Sequence, residues 1–188
     1  MMRTYFAALA LVGLASAASA AATTYNVDPD HTHPSFEVDH FGGLSVWRGL
    51  FKKTTGTVVV DPKGMAGSVD ITVDTSSIDL AHDKLNEHVS GPEILDVAKY
   101  PTATYKGTLG GFANGAPTTV TGNLTLHGVT KPVTWQVTAQ FTDTRITGSA
   151  TANVNITDFG MTPPKAGPVL AIEDGLGLEL AFTATRAA

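Results

Sequence analysis

LTLHGVTKPV, residues 124–133, is the stretch whose reading decides the fold. Leu124 and Leu126 alternate with Thr125, as in a strand with one covered face. His127-Gly128 then breaks the run, and Pro132 opens a second strand where its missing N–H costs least. The pattern is that of a β-hairpin corner. Turn geometry is sufficient reason for His127 and Lys131, so neither is read as a catalytic group.

Working outward, the same two-residue period recurs along the chain. It places Phe36, Val38 and His40 on one face of a strand, Val69, Ile71 and Val73 on another, and Val120, Leu124 and Leu126 on a third. Val133, Trp135, Val137, Ala139 and Phe141 continue the series. Ile146, Ala150, Ala152, Val154 and Ile156 form a further face, as do Leu176, Leu178, Leu180 and Phe182. With SVWRGLFKK, GTVVVDP and TATYKG the total is eight to ten strands, each apolar on one side only, as in antiparallel sheets. Asn123-Leu124-Thr125 fits a glycosylation sequon, but it lies in this alternation and is read as strand.

Two stretches depart from the period. In SSIDLAHDKLNEHVSGPEILDVAKYP, from Ser76, Asp79 is placed to cap a helix running to about Val89. Ser90-Gly91 would end that helix, Pro92 would begin a second short one, and Pro101 returns the chain to strand. The segment from Gly160 to Gly175 holds prolines 163, 164 and 168 and is expected as a long surface loop.

Composition narrows the function classes. A chain of 188 residues with 43% hydrophobic and 15% charged content is expected to form one globular domain with a sizeable core. A net charge of -5 without a basic stripe argues against a nucleic-acid partner. Residues 1–20 read as a signal peptide: Arg3 supplies a positive charge, Tyr5 to Leu14 an apolar run, and Ala18-Ser19-Ala20 a cleavage site. That run is too short for a membrane span. The mature domain, residues 21–188, is therefore expected in the periplasm or secreted, after cleavage near Ala20. There is no cysteine, so stability must come from packing alone.

Amphipathic strands with little helix make either a sandwich or a closed barrel, and periodicity does not separate the two. A barrel removes exposed edges, and one of eight strands encloses room for side chains or one small ligand. Gly122, Ala139, Gly148, Ala150 and Ala152 favour the barrel, since small residues facing a lumen would leave volume unfilled. Large neighbours filling that gap remain the alternative.

Several motifs together resemble the YceI-like family of periplasmic lipid- and polyisoprenoid-binding proteins. Tyr25-x-Val27-Asp28-x-x-His31 is followed by Phe36, His40, Gly49 and Phe51. Ser77-Ile78 precedes the helical segment, and Asp96-Val97-Ala98-Lys99-Tyr100-Pro101 ends it. The hairpin string and Asp158-Phe159-Gly160 complete the set, which spans nearly the whole mature chain. The resemblance implies an all-β, antiparallel, lipocalin-like β-barrel of about eight strands with one helical insertion. It also implies an apolar lumen for a polyisoprenoid, quinone or fatty chain, with no cofactor and no enzymatic activity. Burial at about 0.8 kcal/mol per CH₂ makes a few isoprene units sufficient for tight binding after ordering costs. From register, the candidate ligand-binding residues are Phe36, Val38, Val69, Ile71, Val73, Tyr105, Leu124, Leu126, Trp135 and Val137. Half of these are expected to touch ligand, the rest belonging to sealed core.

The chain departs from the family pattern where cations would meet a polar head group. Leu85-Asn86 stands where an Arg-Asp pair is usual, Ile156 replaces an Arg before Asp-Phe-Gly, and Ile94-Leu95 replaces an aromatic pair. Arg48, Lys52, Lys53, Lys131 and Lys165 are the remaining candidates for the rim, or are ordinary solvated cations. The alternative function is a periplasmic metal carrier using His31, His33 and His40 with Asp28 and Asp30, although no recognised ligand spacing marks it. His82 and His88 are six apart and do not share a helix face. No nucleophile elbow, P-loop or zincin motif points to catalysis, and Asp28/Asp30 and Glu173/Asp174 read as loop acids. Whether two copies pair as a homodimer is left open.

Overall fold

The computed structural model describes residues 22–40, 42–61, 65–163, 165–166 and 170–188. The expected signal peptide lies outside them. Twelve strands and one helix follow in chain order: β1 (Thr23–Val27), β2 (His33–His40), β3 (Ser45–Phe51), β4 (Thr54–Val60), β5 (Gly67–Asp74), β6 (Ile78–Asp79), α1 (Asp83–Ser90), β7 (Thr102–Gly110), β8 (Thr119–Leu126), β9 (Val129–Phe141), β10 (Arg145–Asn155), β11 (Lys165–Ala166) and β12 (Leu170–Arg186). Short 3₁₀ turns occupy Thr75–Ser77 and Ile156–Phe159.

Antiparallel pairing runs β1-β4-β5-β7-β8-β9-β10-β12, and β12 returns to β1 through Tyr25↔Arg186 and Val27↔Ala184. Eight strands therefore close a barrel, and the sandwich is excluded. β12 is long enough to serve a second sheet: its first part pairs with β2, which carries β3 and then β6. Between β1 and β2 the chain bulges away from β12, and Thr32 repairs the ladder. Its hydroxyl donates to the Thr183 carbonyl and accepts from the Thr183 N–H, both at 3.1 Å.

The outward face of the barrel carries Thr121, Asn123, Thr134, Gln136, Thr138 and Gln140, all exposed. This alternation, polar outside and apolar inside, is the reverse of a membrane-spanning barrel. No helix among the described residues is long and apolar enough to cross a membrane.

The barrel ends differ. Where β12 finishes, Tyr25, Val58, Val60, Ile146 and Ala184 pack with Leu109, Phe141 and Phe182 into a plug. At the opposite end lie the β8–β9 turn, the β2–β3 turn and α1. There β9 pairs with β10 only as far as Gln136↔Thr151, and the two strands part. Ile156 and Phe159 fill the opening, the latter with 1% of its surface exposed.

Four local expectations are corrected. His82, not Asp79, caps α1: its Nδ1 accepts the Leu85 N–H at 3.3 Å. Asp79 is held in β6 opposite Leu50, and Ala81 turns the chain with φ 55 before the helix begins. Pro92 starts no second helix; residues 91–100 form hydrogen-bonded turns closed by Asp96 N–H to Gly91 O and Tyr100 N–H to Asp96 O, around Asp96 at φ 45. The expected loop from Gly160 to Gly175 is shortened, because β12 begins at Leu170 and Ile172 pairs with His40 across an irregular register. Pairing with β2 supplies what local sequence lacks. Finally, β9 begins at Val129, three residues before Pro132. The proline sits in the stretch of β9 beyond the β10 pairing, where its absent N–H interrupts no ladder.

Candidate functional site

The inward faces of the strands enclose one cavity of about 580 Å³. That is within the usual range for a small-molecule site, and its wall is almost wholly apolar. All ten residues selected from register lie on it: Phe36 and Val38 from β2, Val69, Ile71 and Val73 from β5, Tyr105 from β7, Leu124 and Leu126 from β8, and Trp135 and Val137 from β9. Ala139 and Ala150 line it too, so their small size does leave space. Gly122 and Gly148 are small for another reason. A Cβ at Gly122 would strike the Lys106–Gly107 backbone of β7, and one at Gly148 would strike the Thr138 carbonyl and the Phe182 ring.

The sequence reading missed the wall contributed by the helical segment. Leu85 and Val89 on α1, followed by Ile94 and Leu95, line the cavity between the β3–β6 flap and β7. Their i, i+4 spacing was the available signal. The departures noted above fall here. Asn86 accepts the Leu80 N–H at 2.7 Å and so ties α1 to β6, while Ile156 is buried on the cavity wall.

Polar groups inside are few. The Tyr105 hydroxyl lies 3.0 Å from the Val120 carbonyl and 2.9 Å from that of Val133, so its hydrogen is shared between them. Burial pushes its pKa up to about 12. The Trp135 ring meets Tyr105 edge-on, with centroids 6.1 Å apart. His40 stands at the unplugged end, its Nδ1 3.0 Å from the Ser45 carbonyl and its ring 6.2 Å from that of Trp47. Of all the lining residues only Trp47, at 36%, is exposed, so the cavity reaches the surface beside the β2–β3 turn.

Three candidate rim cations carry carboxylate partners. Arg48 pairs with Glu37 at 2.8 Å, Lys52 with Asp79 at 3.3 Å and Lys53 with Asp74 at 3.5 Å. Lys131 does not line the cavity, and the Lys165 side chain lies outside the described residues. The metal alternative finds no cluster: His31 Nδ1 is 2.9 Å from Asp28 Oδ2, and among the described residues no three His, Asp or Glu converge. Asp174, expected as a loop acid, lies instead within β12, where its carboxylate accepts hydrogen bonds from the Thr157 N–H and hydroxyl.

The recognisable motifs meet at one corner beside the cavity. His127 and Gly128 form the two-residue turn with φ 50 and 75, the type I′ geometry of a tight hairpin. The His127 ring packs on Tyr100 at 4.4 Å, and its Nδ1 lies 3.3 Å from the Phe159 carbonyl. Gly128 abuts the Tyr100 ring so closely that a Cβ would collide with it. Thus the KYP string, the hairpin string and Asp-Phe-Gly are one packed joint.

Comparison with known proteins agrees with this geometry. A UPF0312 protein of Pseudomonas putida strain W619 is 35% identical over 176 residues, covering 88% of this chain and 91% of that protein. Among solved structures, Burkholderia cenocepacia BcnA has a TM-score of 0.71 at 26% identity, over 85% of this chain and 99% of that one. A polyisoprenoid binding domain from Saccharophagus degradans, implicated in plant cell wall breakdown, shares the fold with a TM-score of 0.69 at 16% identity, over 88% and 99% of the two chains. The family model for the YceI-like domain matches residues 25–184, the barrel from its first strand to its last, and the chain belongs to the YceI-like family.

Proposed function

We propose that this protein is exported and carries an isoprenoid or comparable long apolar chain inside its barrel, moving, storing or protecting it. The observation that carries the reading is a lumen lined by aliphatic and aromatic side chains, floored by the Ile146–Ala184 cluster and reaching the surface beside Trp47. Water gains little from such a wall, whereas each buried CH₂ contributes about 0.8 kcal/mol. The Saccharophagus degradans neighbour, described as polyisoprenoid binding, supports this ligand class. Recognition rests on the tail: the side chains that meet the ligand are apolar, and three rim cations already have carboxylate partners. Binding needs no reacting group, and none is assigned.

Organic extraction of protein purified from its native host, followed by mass spectrometry, tests the reading. The expected result is a stoichiometric apolar species that is absent from the variant Val137→Trp, in which the added ring fills the lumen. Extracts without such a species, or the same yield from a folded Val137→Trp protein, would sink it. Export is checked separately by the mass of the mature chain, expected to lack residues 1–20.

A further inference from the structure

We infer that the β2–β3 turn is a membrane-docking tip that brings the open end of the lumen to a lipid bilayer surface; this rests on the lumen holding a membrane-derived chain. Leu44 is 88% exposed and Val46 43%, and Trp47 joins them to the cavity wall, since it is both exposed and lining. An apolar path thus runs from solvent into the lumen along a single hairpin. Gly42 and Gly43, at φ 64 and 87, turn the chain tightly there.

The apolar make-up of the tip favours a bilayer over other occupants. Between Asp39 and Asp61 the chain carries Arg48, Lys52 and Lys53 and no carboxylate, in a protein of net charge -5. The eight residues from His40 to Trp47 hold no Asp, Glu, Lys or Arg. Trp47 and Leu44 suit the headgroup boundary of a membrane, and the carboxylate that faces the tip across the β2–β3 pairing is Asp39, opposite Val46. Arg48 remains exposed despite its pair with Glu37, and such surface pairs hold their members weakly. Area argues against a second copy as the occupant: three side chains fall well short of the roughly 800 Å² per partner that a stable interface buries. Among the described residues, Ser45–Gly49 of β3 has no strand partner on the side away from β2, so edge pairing with another copy is the competing outcome.

Co-flotation of the full mature protein with phosphatidylethanolamine–phosphatidylglycerol vesicles, against phosphatidylcholine vesicles, tests the tip. The double variant Leu44→Asp/Val46→Asp should lose about tenfold in vesicle partitioning at unchanged melting temperature. Met65→Asp is the control, because Met65 is 60% exposed in the β4–β5 turn at the plugged end. It should stay within about twofold of the parent. Partitioning that ignores the tip variant, falls equally with Met65→Asp, or is missing in the parent would overturn the proposal. A parent dimer that the tip variant converts to monomer, without vesicle binding by either, would assign the tip to self-association instead. Lipid extracted from the same preparations separates the two readings. An empty parent defeats the lumen function, while a loaded parent with tip-independent partitioning defeats the docking alone.

Discussion

Tyr105 is the polar exception in the lumen, and its placement is explained by what its oxygen touches. Two backbone carbonyls share its proton, so Tyr105→Phe should cost about 1–2 kcal/mol, seen as a melting-temperature loss of several degrees. Its folded pKa is raised, so its stabilisation is intact below pH ~10 and is lost as pH rises through about 12. Alkaline unfolding followed by circular dichroism should therefore be shallower in the Phe variant. Asp74 behaves in the opposite sense. The hydrogen bond from Ser76 Oγ, with the Lys53 charge nearby, holds its carboxyl below the usual range against a smaller effect of burial. A depressed folded pKa means stability that is present above pH ~4 and lost as pH falls through the folded value. Asp74→Asn should accordingly flatten the loss of stability below pH ~4, and an unchanged acid limb would contradict this.

At the scale of elements, the motif strings divide into joints and walls. The His127-Gly128 turn, Tyr100 and Phe159 hold together three segments distant in sequence, where β9 and β10 part. Gly128→Ala forces both a left-handed backbone and a collision with the Tyr100 ring, so a loss of about 2–4 kcal/mol in urea unfolding is expected. α1 acts differently. It has no fully buried residue and is tethered by the Asn86–Leu80 hydrogen bond and by Leu85 and Val89 on the cavity. Leu85→Ala/Val89→Ala should therefore weaken ligand retention more than fold stability, read as faster release of a fluorescent fatty chain with a modest change in melting temperature.

Across the whole molecule, the two apolar clusters share one cavity. Ile146 and Ala184, each 1% exposed, pack the end of the barrel where β12 finishes and also form the floor of the lumen. Ile146→Ala should cost about 2–5 kcal/mol through its cavity. The lumen wall tolerates added volume, which is why Val137→Trp is expected to fold yet exclude ligand. If Ile146→Ala were neutral in chemical denaturation, the close packing assigned to this floor would be wrong.

Alternation of apolar and polar residues determined strand identity, inward register and all ten wall positions, because side chains on a strand must point to opposite faces. The motif strings determined family and thereby the barrel. Tertiary structure alone decided what depends on residues far apart in sequence. Gly122 and Gly148 are small because neighbouring backbones and a ring approach them, not to leave space. His82 replaces Asp79 as the cap because β3 captures Asp79 first, and β12 reaches back to Leu170 because β2 lies beside it. Closure itself belongs to this group: the pairing of Tyr25 with Arg186 joins the two ends of the sheet, and no local period records which strands will be neighbours.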